Sequence, residues 1–189
     1  MNATFSLLER LAALIHQAVR DEASDHSLLP IHLQVLAYLA RANHYSDIPI
    51  AIAEYFGISR GSVSQTVAVL ERKGLIERHA DPGNRKRVHL RLSARGQAVA
   101  DDSWARRLER LLADHPEIDA AVLEEGLRGL LTALQRDRGQ LAFGVCRDCT
   151  HFLAEASGFR CGLTGEPLAT EQTDRICREW SAPATGADG

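Results

Sequence analysis

Cysteine is absent from the first 145 residues of this 189-residue chain, and all four cysteines, Cys146, Cys149, Cys161 and Cys177, lie in its last quarter. The long cysteine-free region must therefore fold by ordinary burial of apolar side chains, whereas the clustering of the thiols indicates one shared site. Aromatic residues are also scarce, at 5% of the chain. Leucine, alanine, valine and isoleucine must therefore supply most of the core.

Long hydrophobic runs are missing as well. No apolar segment approaches the ~20 residues needed to span a bilayer, so we expect no membrane partner. The first residues, MNATFSLLERLAAL, include Glu9 and Arg10 among the apolar side chains. They lack the basic start and unbroken apolar stretch of a secretory signal. We therefore expect a cytoplasmic protein, in which four reduced cysteines are more often a metal site than two disulfides.

The motifs of common enzyme classes are missing too. The sequence contains no Ser-His-Asp set at motif spacing, no glycine loop of the kind that cradles phosphate and no HExxH. We therefore expect a protein that is not an enzyme.

One segment is rich in positive charge, although the chain as a whole is acidic. Between Ser59 and Arg95 there are nine basic and three acidic residues, a net charge of +6, which leaves −9 for the rest of a chain whose total is −3. A basic block inside an acidic protein is typical of a surface that binds a polyanion such as DNA. Charge alone is equally compatible with an ordinary solvated surface.

Apolar periodicity predicts helices over residues 5–20, 31–43, 48–57 and 60–74, with Pro30 in the first turn of the second. Gly57 suits a left-handed turn between the third and fourth helices, and Ser59 suits the N-cap of the fourth. Two short alternating segments, 75–79 and 88–92, flank a charged Pro-Gly turn and predict a hairpin. This order of elements is typical of a winged helix-turn-helix.

Two further helices are expected after the hairpin. Ser93 is predicted to cap a long helix over residues 94–113, and Pro116 to open another near Glu117. With the first helix, these would expose apolar stripes that a second copy of the chain could cover. The alternative is that they fold back on their own domain. The predicted fold is thus mainly α with a small β-hairpin wing, a helical dimerisation region and a small cysteine-rich tail.

The predicted recognition helix has two faces. Val63, Val67 and Leu70 should pack inward. Arginine and glutamine can each make two hydrogen bonds to guanine and adenine edges, while serine suits phosphate contacts. The candidate DNA-binding residues are Ser59, Arg60, Gly61, Ser62, Ser64 and Gln65 on this helix, and Asn84, Arg85, Lys86 and Arg87 on the wing.

The stretch ISRGSVSQTVAVLERKGLIERHADPGNRKRVHLRLSARG, within residues 53–96, resembles the MarR family of bacterial transcription regulators. The resemblance implies a homodimer that binds a pseudo-palindromic operator in double-stranded DNA, usually as a repressor. It also assigns Asp81 to the wing. The chain departs from the family at Asn84, where an acidic residue is common, and at Lys86, where arginine is frequent. The cysteine-rich tail is not a standard part of the family.

The tail has the spacing C-x2-C-x11-C-x15-C, in which Cys146 and Cys149 can bind one centre from a single turn. Four thiolates can hold a tetrahedral zinc or an iron–sulfur cluster. The single C-x2-C pair and the aromatics Phe152 and Trp180 slightly favour an iron–sulfur cluster over zinc. Unligated thiols are the remaining alternative, and His151 is a substitute ligand of lower rank. We predict three segments: 1–140 for DNA binding and dimerisation, 141–180 for metal binding, and 181–189 as a disordered tail.

Three functions are compatible with these features. The first is a dimeric regulator, in our interpretation a repressor, whose cysteine site senses redox or metal state. The second is the same regulator with a structural zinc and a small-molecule effector bound between the dimerisation helices and the DNA-binding domain. The third is a redox protein that uses the winged helix only to dock a protein partner.

Overall fold

The fold is given by a computed structural model that describes residues 3–84 and 87–183. The predictions for Arg85, Lys86 and most of the 181–189 segment lie outside the described residues. The first part contains helices α1 (Ala3–Asp25), α2 (Pro30–Leu39), α3 (Pro49–Phe56) and α4 (Arg60–Arg72), strands β1 (Ile76–Ala80) and β2 (Val88–Leu92), and helices α5 (Ala94–Asp101), α6 (Trp104–Asp114) and α7 (Ala120–Asp137). This order confirms the predicted fold class, helical with a small hairpin wing.

The main core lies where α2, α3, α4 and the hairpin meet. Its fully buried side chains are apolar and come from every one of these elements: Val35, Leu36, Ile52, Val63, Val67, Leu70 and Leu90. Val63, Val67 and Leu70 therefore face inward, as their spacing on α4 predicts. No helix in the described part of the chain is both long and apolar enough to cross a membrane.

Local sequence signals account for the helix-turn-helix. Pro30 occupies the first turn of α2, where its missing N–H costs no intrahelical hydrogen bond. Gly57 ends α3 with a left-handed backbone, φ +63°, which glycine adopts without steric cost. The Ser59 hydroxyl then accepts a hydrogen bond from the Ser62 amide at 3.1 Å, so it caps α4. All three predictions are confirmed.

The wing is a regular antiparallel hairpin in which Ile76 pairs with Leu92 and Ala80 with Val88. Its turn is organised by Asp81. The carboxylate of Asp81 accepts hydrogen bonds from the amides of Gly83 at 2.7 Å and Asn84 at 2.9 Å. Asp81 therefore orders the turn.

The predicted long helix over residues 94–113 is wrong, because the structure divides it into α5 and α6 at Asp102 and Ser103. Ser93 caps α5 as expected, accepting from the Gly96 amide at 3.0 Å. The cause of the break is a buried carboxylate from α1. Glu22 accepts a hydrogen bond from the Trp104 amide at 2.6 Å and so caps a new helix.

The prediction that Pro116 opens a helix near Glu117 is also wrong. Residues 116–118 form a turn, and α7 begins at Ala120. The side chain of Asp119 accepts hydrogen bonds from the amides of Ala121 and Val122 at 3.0 and 3.1 Å. A carboxylate that satisfies two free helix amides is a stronger start signal than the proline three residues earlier.

The tail, which has no long periodic stretch, folds into a small cysteine module, residues 144–181. It holds the strands β3 (Gly144–Val145), β4 (Phe152–Glu155), β5 (Gly158–Cys161), β6 (Pro167–Leu168) and β7 (Ile176–Cys177), a 3-10 turn at Cys146–Asp148 and the short helix α8 (Thr170–Thr173). Strand β3 pairs with β7, and β4, β5 and β6 form a second antiparallel sheet.

The cysteine module is docked on the winged helix. Ile176 forms a parallel bridge with Ala42, in the loop between α2 and α3. Arg178 makes two hydrogen bonds of 3.0 Å to the carboxylate of Glu54 on α3. The connection between α2 and α3 therefore lies against both the cysteine module and the rest of the winged helix.

Candidate nucleic-acid interface and cysteine centre

The N-terminal half of α4 presents a polar face to solvent. Its exposed residues are Ser59, Arg60, Gly61, Ser62, Ser64 and Gln65, which are the positions predicted from the sequence. They start at a helix N-terminus, whose free amides and positive dipole favour an anion. This face therefore combines long side chains that can make paired hydrogen bonds with short hydroxyl donors.

Arg87 does not extend freely from the wing. It is half-buried at the base of β2, and its Nη2 lies 3.4 Å from the carbonyl oxygen of Tyr45 and 3.5 Å from that of His44. Its Nε is buried without a hydrogen-bond partner among the described residues. Asn84 remains exposed beside the Asp81-ordered turn. Arg87 therefore ties the wing to the preceding loop, a role its charge alone did not predict.

His89 links the same loop to the wing turn. Its imidazole lies between two carboxylates, 2.5 Å from Asp47 and 3.0 Å from Asp81. Burial opposes the charged form, but the hydrogen bonds to Asp81 and Asp47 outweigh it and raise the pKa of His89 above its ordinary value. The same contact lowers the pKa of Asp81, whereas burial raises that of Asp47. A protonated His89 therefore holds the two carboxylates together.

The four cysteines converge inside the cysteine module. Cys146, Cys161 and Cys177 are buried in one apolar cluster with Leu168 and Tyr45, and Cys149 is half-buried. Burial, followed by the nearby thiols of Cys177, Cys161 and Cys149, raises the pKa of Cys146 to about 12. Thiolates in this setting need a compensating cation, and a metal that binds here must displace protons.

Aromatic side chains surround these thiols. Phe152 and Phe159 stack with ring centroids 5.2 Å apart, and both pack on the cysteine cluster together with Trp180. The indole N–H of Trp180 donates to the Asp148 carbonyl at 3.1 Å. The ring lies so close to Gly144 that a methyl group there would overlap it. Such a shell limits solvent access to the thiols.

Two hydrogen-bond donors, one from the backbone and one from a side chain, point to the sulfurs. The Ser181 amide donates to Cys149 Sγ at 3.4 Å. The side-chain nitrogen Nδ2 of Asn43 is fully buried and makes no regular hydrogen bond to a described residue. It faces Cys177, whose pKa is raised by burial and partly lowered by this Asn43 contact. Within residues 3–84 and 87–183, no three His, Cys, Asp or Glu side chains are arranged to share a single metal ion. His151 lies at the edge of the module, where its carbonyl accepts from the Gly162 amide at 2.7 Å.

Sequence reasoning missed the residues that connect the two regions. Asn43, Tyr45 and Asp47 belong to a short loop with no motif, and His89 has no ligand spacing to mark it. Their partners lie up to 133 residues away along the chain, as for the hydrogen bond from the backbone amide of Asn43 to the Ile176 carbonyl. Only the density of polar residues in the loop, at Asn43, His44, Ser46 and Asp47, could have indicated a structured role.

A separate apolar cavity of about 200 Å³ lies between α1, α2 and α6. Ile15, Val19, Leu33, Phe56 and Trp104 form most of its apolar wall. Glu22 and Arg41 add charged groups at its edge. It lies between the terminal helices and the helix-turn-helix.

The sequence profile of the MarR family matches residues 26–87. No curated protein sequence matches the chain. Among solved structures, the chain is similar to a mutant of MepR from a multidrug-resistant S. aureus clinical isolate, with 22% identity and a TM-score of 0.55 over 71% of this chain and 100% of that chain. FabT of Streptococcus pneumoniae, solved in complex with DNA, has 20% identity and a TM-score of 0.53 over 70% of this chain and 98% of that chain.

CouR from Rhodococcus jostii RHA1, solved bound to p-coumaroyl-CoA, has 21% identity and a TM-score of 0.51 over 71% of this chain and 90% of that chain. At these identities the likeness establishes a common fold. That fold, a helix-turn-helix followed by a hairpin wing, agrees with the match of the MarR family profile to residues 26–87.

Proposed function

We propose that the protein is a sequence-specific transcription regulator that binds double-stranded DNA as a homodimer. The observation that carries this proposal is the exposed polar face of α4, which includes Arg60 and Gln65, beside a wing in the most basic segment of the chain. Side chains of these types read base edges in the major groove, while the wing and the serines contact the backbone. The FabT structure in complex with DNA supports the same use of this fold.

A homodimer would cover the apolar surface of the terminal helices. None of the residues of α6 and α7 is buried, and α7 exposes leucines along one stripe, among them Leu131 at 51% and Leu134 at 50%. Helix α1 likewise exposes Leu7 at 71%. Contiguous apolar patches of this kind mark an interface, and a two-fold dimer buries the same patch on both copies.

Repression is the mode of regulation that we favour. A dimer seated on an operator excludes other proteins from that DNA by occupancy alone and needs no further contact. A regulator of this kind must have access to chromosomal DNA, so we also propose a cytoplasmic location.

We further propose that the four cysteines hold a metal centre, with an iron–sulfur cluster preferred over zinc. The convergence of the thiols, the aromatic shell and the Asn43 amide support a ligand here. A buried donor without a partner costs about 1–3 kcal/mol, and a cysteinate sulfur in a loaded centre would offset that cost. Hydrogen bonds to the sulfurs from Asn43 and Ser181 are of the kind that tune such clusters.

The test of the metal centre is elemental analysis of protein purified without oxygen. We expect iron and inorganic sulfide together with absorbance near 400 nm. Zinc alone would support the second arrangement, a structural zinc in a regulator that responds to an organic effector. The cavity between α1, α2 and α6 favours that second candidate, and the structure of CouR with p-coumaroyl-CoA is a precedent for a ligand-bound relative. A chain with neither metal would leave the thiols unligated and refute the metal centre.

The test of DNA binding is selection from a pool of random duplexes, followed by gel shift at moderate salt. We expect recovery of an inverted-repeat sequence bound far more tightly than unselected DNA. Each phosphate neutralised should steepen the fall of affinity with salt. If no duplex is retained above background, the winged helix serves a protein contact, as the redox-protein alternative requires.

A further inference from the structure

The loop between α2 and α3, residues 40–48, contacts both the cysteine module and the wing. We call it the junction loop. On one side it carries the parallel bridge from Ala42 to Ile176, the residue before Cys177. On the other side it carries Asp47, whose carbonyl oxygen accepts a hydrogen bond of 2.7 Å from the Leu90 amide of the wing.

The contacts with the cysteine module are extensive. The Ile176 amide donates to the Arg41 carbonyl at 2.7 Å, and the Asn43 amide donates back to the Ile176 carbonyl at 2.9 Å. Tyr45 contributes its ring to the apolar cluster of the cysteines, and its hydroxyl donates to Glu166 at 2.6 Å. The ordered path of the junction loop therefore depends on a folded, docked module.

The contacts with the wing come from the same few residues. Asp47 bonds His89 through its side chain as well as Leu90 through its backbone. The Arg87 guanidinium approaches the carbonyls of His44 and Tyr45. Strand β2 and the residue before it are thus attached to the junction loop at three positions, Arg87, His89 and Leu90.

Asn43 and Ser46 connect the two sets of contacts inside the loop. Both are fully buried, and Asn43 Oδ1 accepts hydrogen bonds from the Ser46 hydroxyl at 2.8 Å and the Tyr45 amide at 3.1 Å. The Ser46 hydroxyl in turn accepts from the Arg178 amide, next to Cys177, at 2.9 Å. A continuous chain of hydrogen bonds therefore runs from the ligand-bearing strand β7 to the loop that holds the wing.

A small module with a minimal core folds on its metal, so removing the metal removes the module from the junction loop. The loop would then lose the backbone partners supplied by Ile176 and Arg178 and the side-chain partner supplied by Glu166. The wing contacts made by Asp47 and by the carbonyls of residues 44 and 45 would lose their fixed positions. A wing that must be ordered during binding lowers DNA affinity.

We propose that the loaded cysteine module positions the wing for DNA through the junction loop, so that the protein binds its operator when the metal centre is present and releases it when the centre is lost. This inference rests on the proposed function, because it assumes both the metal centre and the operator. Coupling of this kind is reciprocal, so bound operator also slows loss of the metal.

The first experiment measures hydrogen exchange in the absence of DNA, on full-length protein as purified and after removal of the metal by a chelator. The Leu90 amide is the reporter, because its partner is the Asp47 carbonyl of the junction loop. We expect it to exchange at least fivefold faster in the stripped protein, while amides of the core helix α4 around Leu70 keep their rates. Unchanged protection of Leu90, with the cysteine module itself opened, would overturn the inference.

The second experiment measures affinity for a duplex enriched from a random pool. Loaded protein should bind at least tenfold more tightly than stripped protein. In loaded protein, Arg178→Gln should lower the affinity and the Leu90 protection, because it removes the paired contact with Glu54. Arg147→Gln is the matched control: it makes the same charge change in the module, at an exposed ion pair with Asp174, and should leave both quantities unchanged.

The comparison of metal-loaded and metal-free natural protein tests the coupling even if the Arg178→Gln variant does not bind the metal. Equal affinity in the two states would refute the coupling while leaving the metal centre and DNA binding intact. A chain that takes up neither iron nor zinc would refute the metal centre, and the inference with it. A chain that loses Leu90 protection on stripping but binds no duplex would refute the proposed function, and operator release with it, while the structural link between the module and the wing would stand.

Discussion

Arg178 of the cysteine module and Glu54 of α3 face each other with paired geometry, Nε to Oε2 and Nη2 to Oε1, both at 3.0 Å. Their side chains are only 23% and 22% exposed, so solvent screens the pair less than it screens the ion pairs at the surface. Two parallel charge-assisted hydrogen bonds fix orientation as well as distance. The pair therefore holds the module on the helix-turn-helix in one orientation.

Replacing Glu54 should loosen this attachment. We expect Glu54→Gln to lower the free energy of unfolding by about 1–2 kcal/mol, because one strong acceptor of a paired arginine is lost. Urea denaturation of loaded protein measures the effect. Glu109→Gln, at an exposed pair with Arg106 one helical turn away, is the control and should cost less than about 0.5 kcal/mol. Equal effects of the two changes would contradict a special role for the Glu54 pair.

Wing order should depend on pH through His89. The folded-state pKa of His89 is raised, so its contribution is complete below the unfolded value of about 6.5 and is lost as pH rises through the folded value. The lowered pKa of Asp81 matters on the acidic side of the pH range. The contribution of Asp81 to wing order is present above about pH 3.8 and disappears as pH falls. We expect hydrogen exchange of the wing amides above neutral pH to be faster than the intrinsic pH dependence of amide exchange predicts.

Nuclear magnetic resonance of the His89 ring measures its titration directly. His79 is the matched control, because it pairs with His89 across the hairpin and is more exposed. His89→Gln should abolish the extra pH dependence of wing exchange, and His79→Gln should keep it. A His89 ring that titrates below the ordinary range would contradict this prediction.

The aromatic shell should protect the metal centre. A methyl group on Gly144 would overlap the indole of Trp180, so Gly144→Ala should displace that ring and open the cysteine cluster to solvent. We expect faster transfer of the metal to a chelator, by at least threefold. Gly126→Ala lies in α7 with open space around the added methyl group and serves as the control. Equal release rates for the two variants would show that Trp180 does not shield the centre.

Dimerisation should depend on the leucine stripe of α7. Placing a charge at Leu131, which is 51% exposed in a single chain, would bury it in the dimer without a partner. We expect Leu131→Glu to shift sedimentation from dimer to monomer at micromolar protein and to weaken operator binding with it. Leu29→Glu, at a 60% exposed position before α2, should leave the dimer intact. A monomeric natural chain would refute the dimer.

The sequence predicted the elements whose signals are local. Helix boundaries are marked by residues that act within a few positions of themselves. Gly57 ends α3 with a left-handed backbone, and the hydroxyls of Ser59 and Ser93 cap α4 and α5. The break before Trp104 could not be read, since it depends on Glu22, 82 residues away. The strands of the cysteine module are only two to four residues long. Strands this short contain too few residues to show an alternating pattern.

The candidate sites also differ in whether they depend on local sequence signals or on contacts between distant residues. The exposed face of α4 follows from helical periodicity, and the grouping of Cys146, Cys149, Cys161 and Cys177 follows from their spacing. The junction loop does not, because its importance comes from partners in two regions that meet only after folding. Arg87 illustrates the difference: its charge predicted a phosphate contact, whereas its buried contacts with the carbonyls of residues 44 and 45 depend on where the loop lies.

The central claim is that the exposed face of α4 reads DNA, and one measurement tests it most directly. Fluorescence anisotropy with the enriched duplex compares natural protein, Arg60→Glu and the control Arg110→Glu on α6, each checked for unchanged helix content and dimer state. A paired arginine–base contact is worth about 1–3 kcal/mol, and a reversed charge adds repulsion, so we expect Arg60→Glu to weaken binding by about a hundredfold or more. Arg110→Glu should change it less than threefold. Equal affinities for all three proteins would contradict the account.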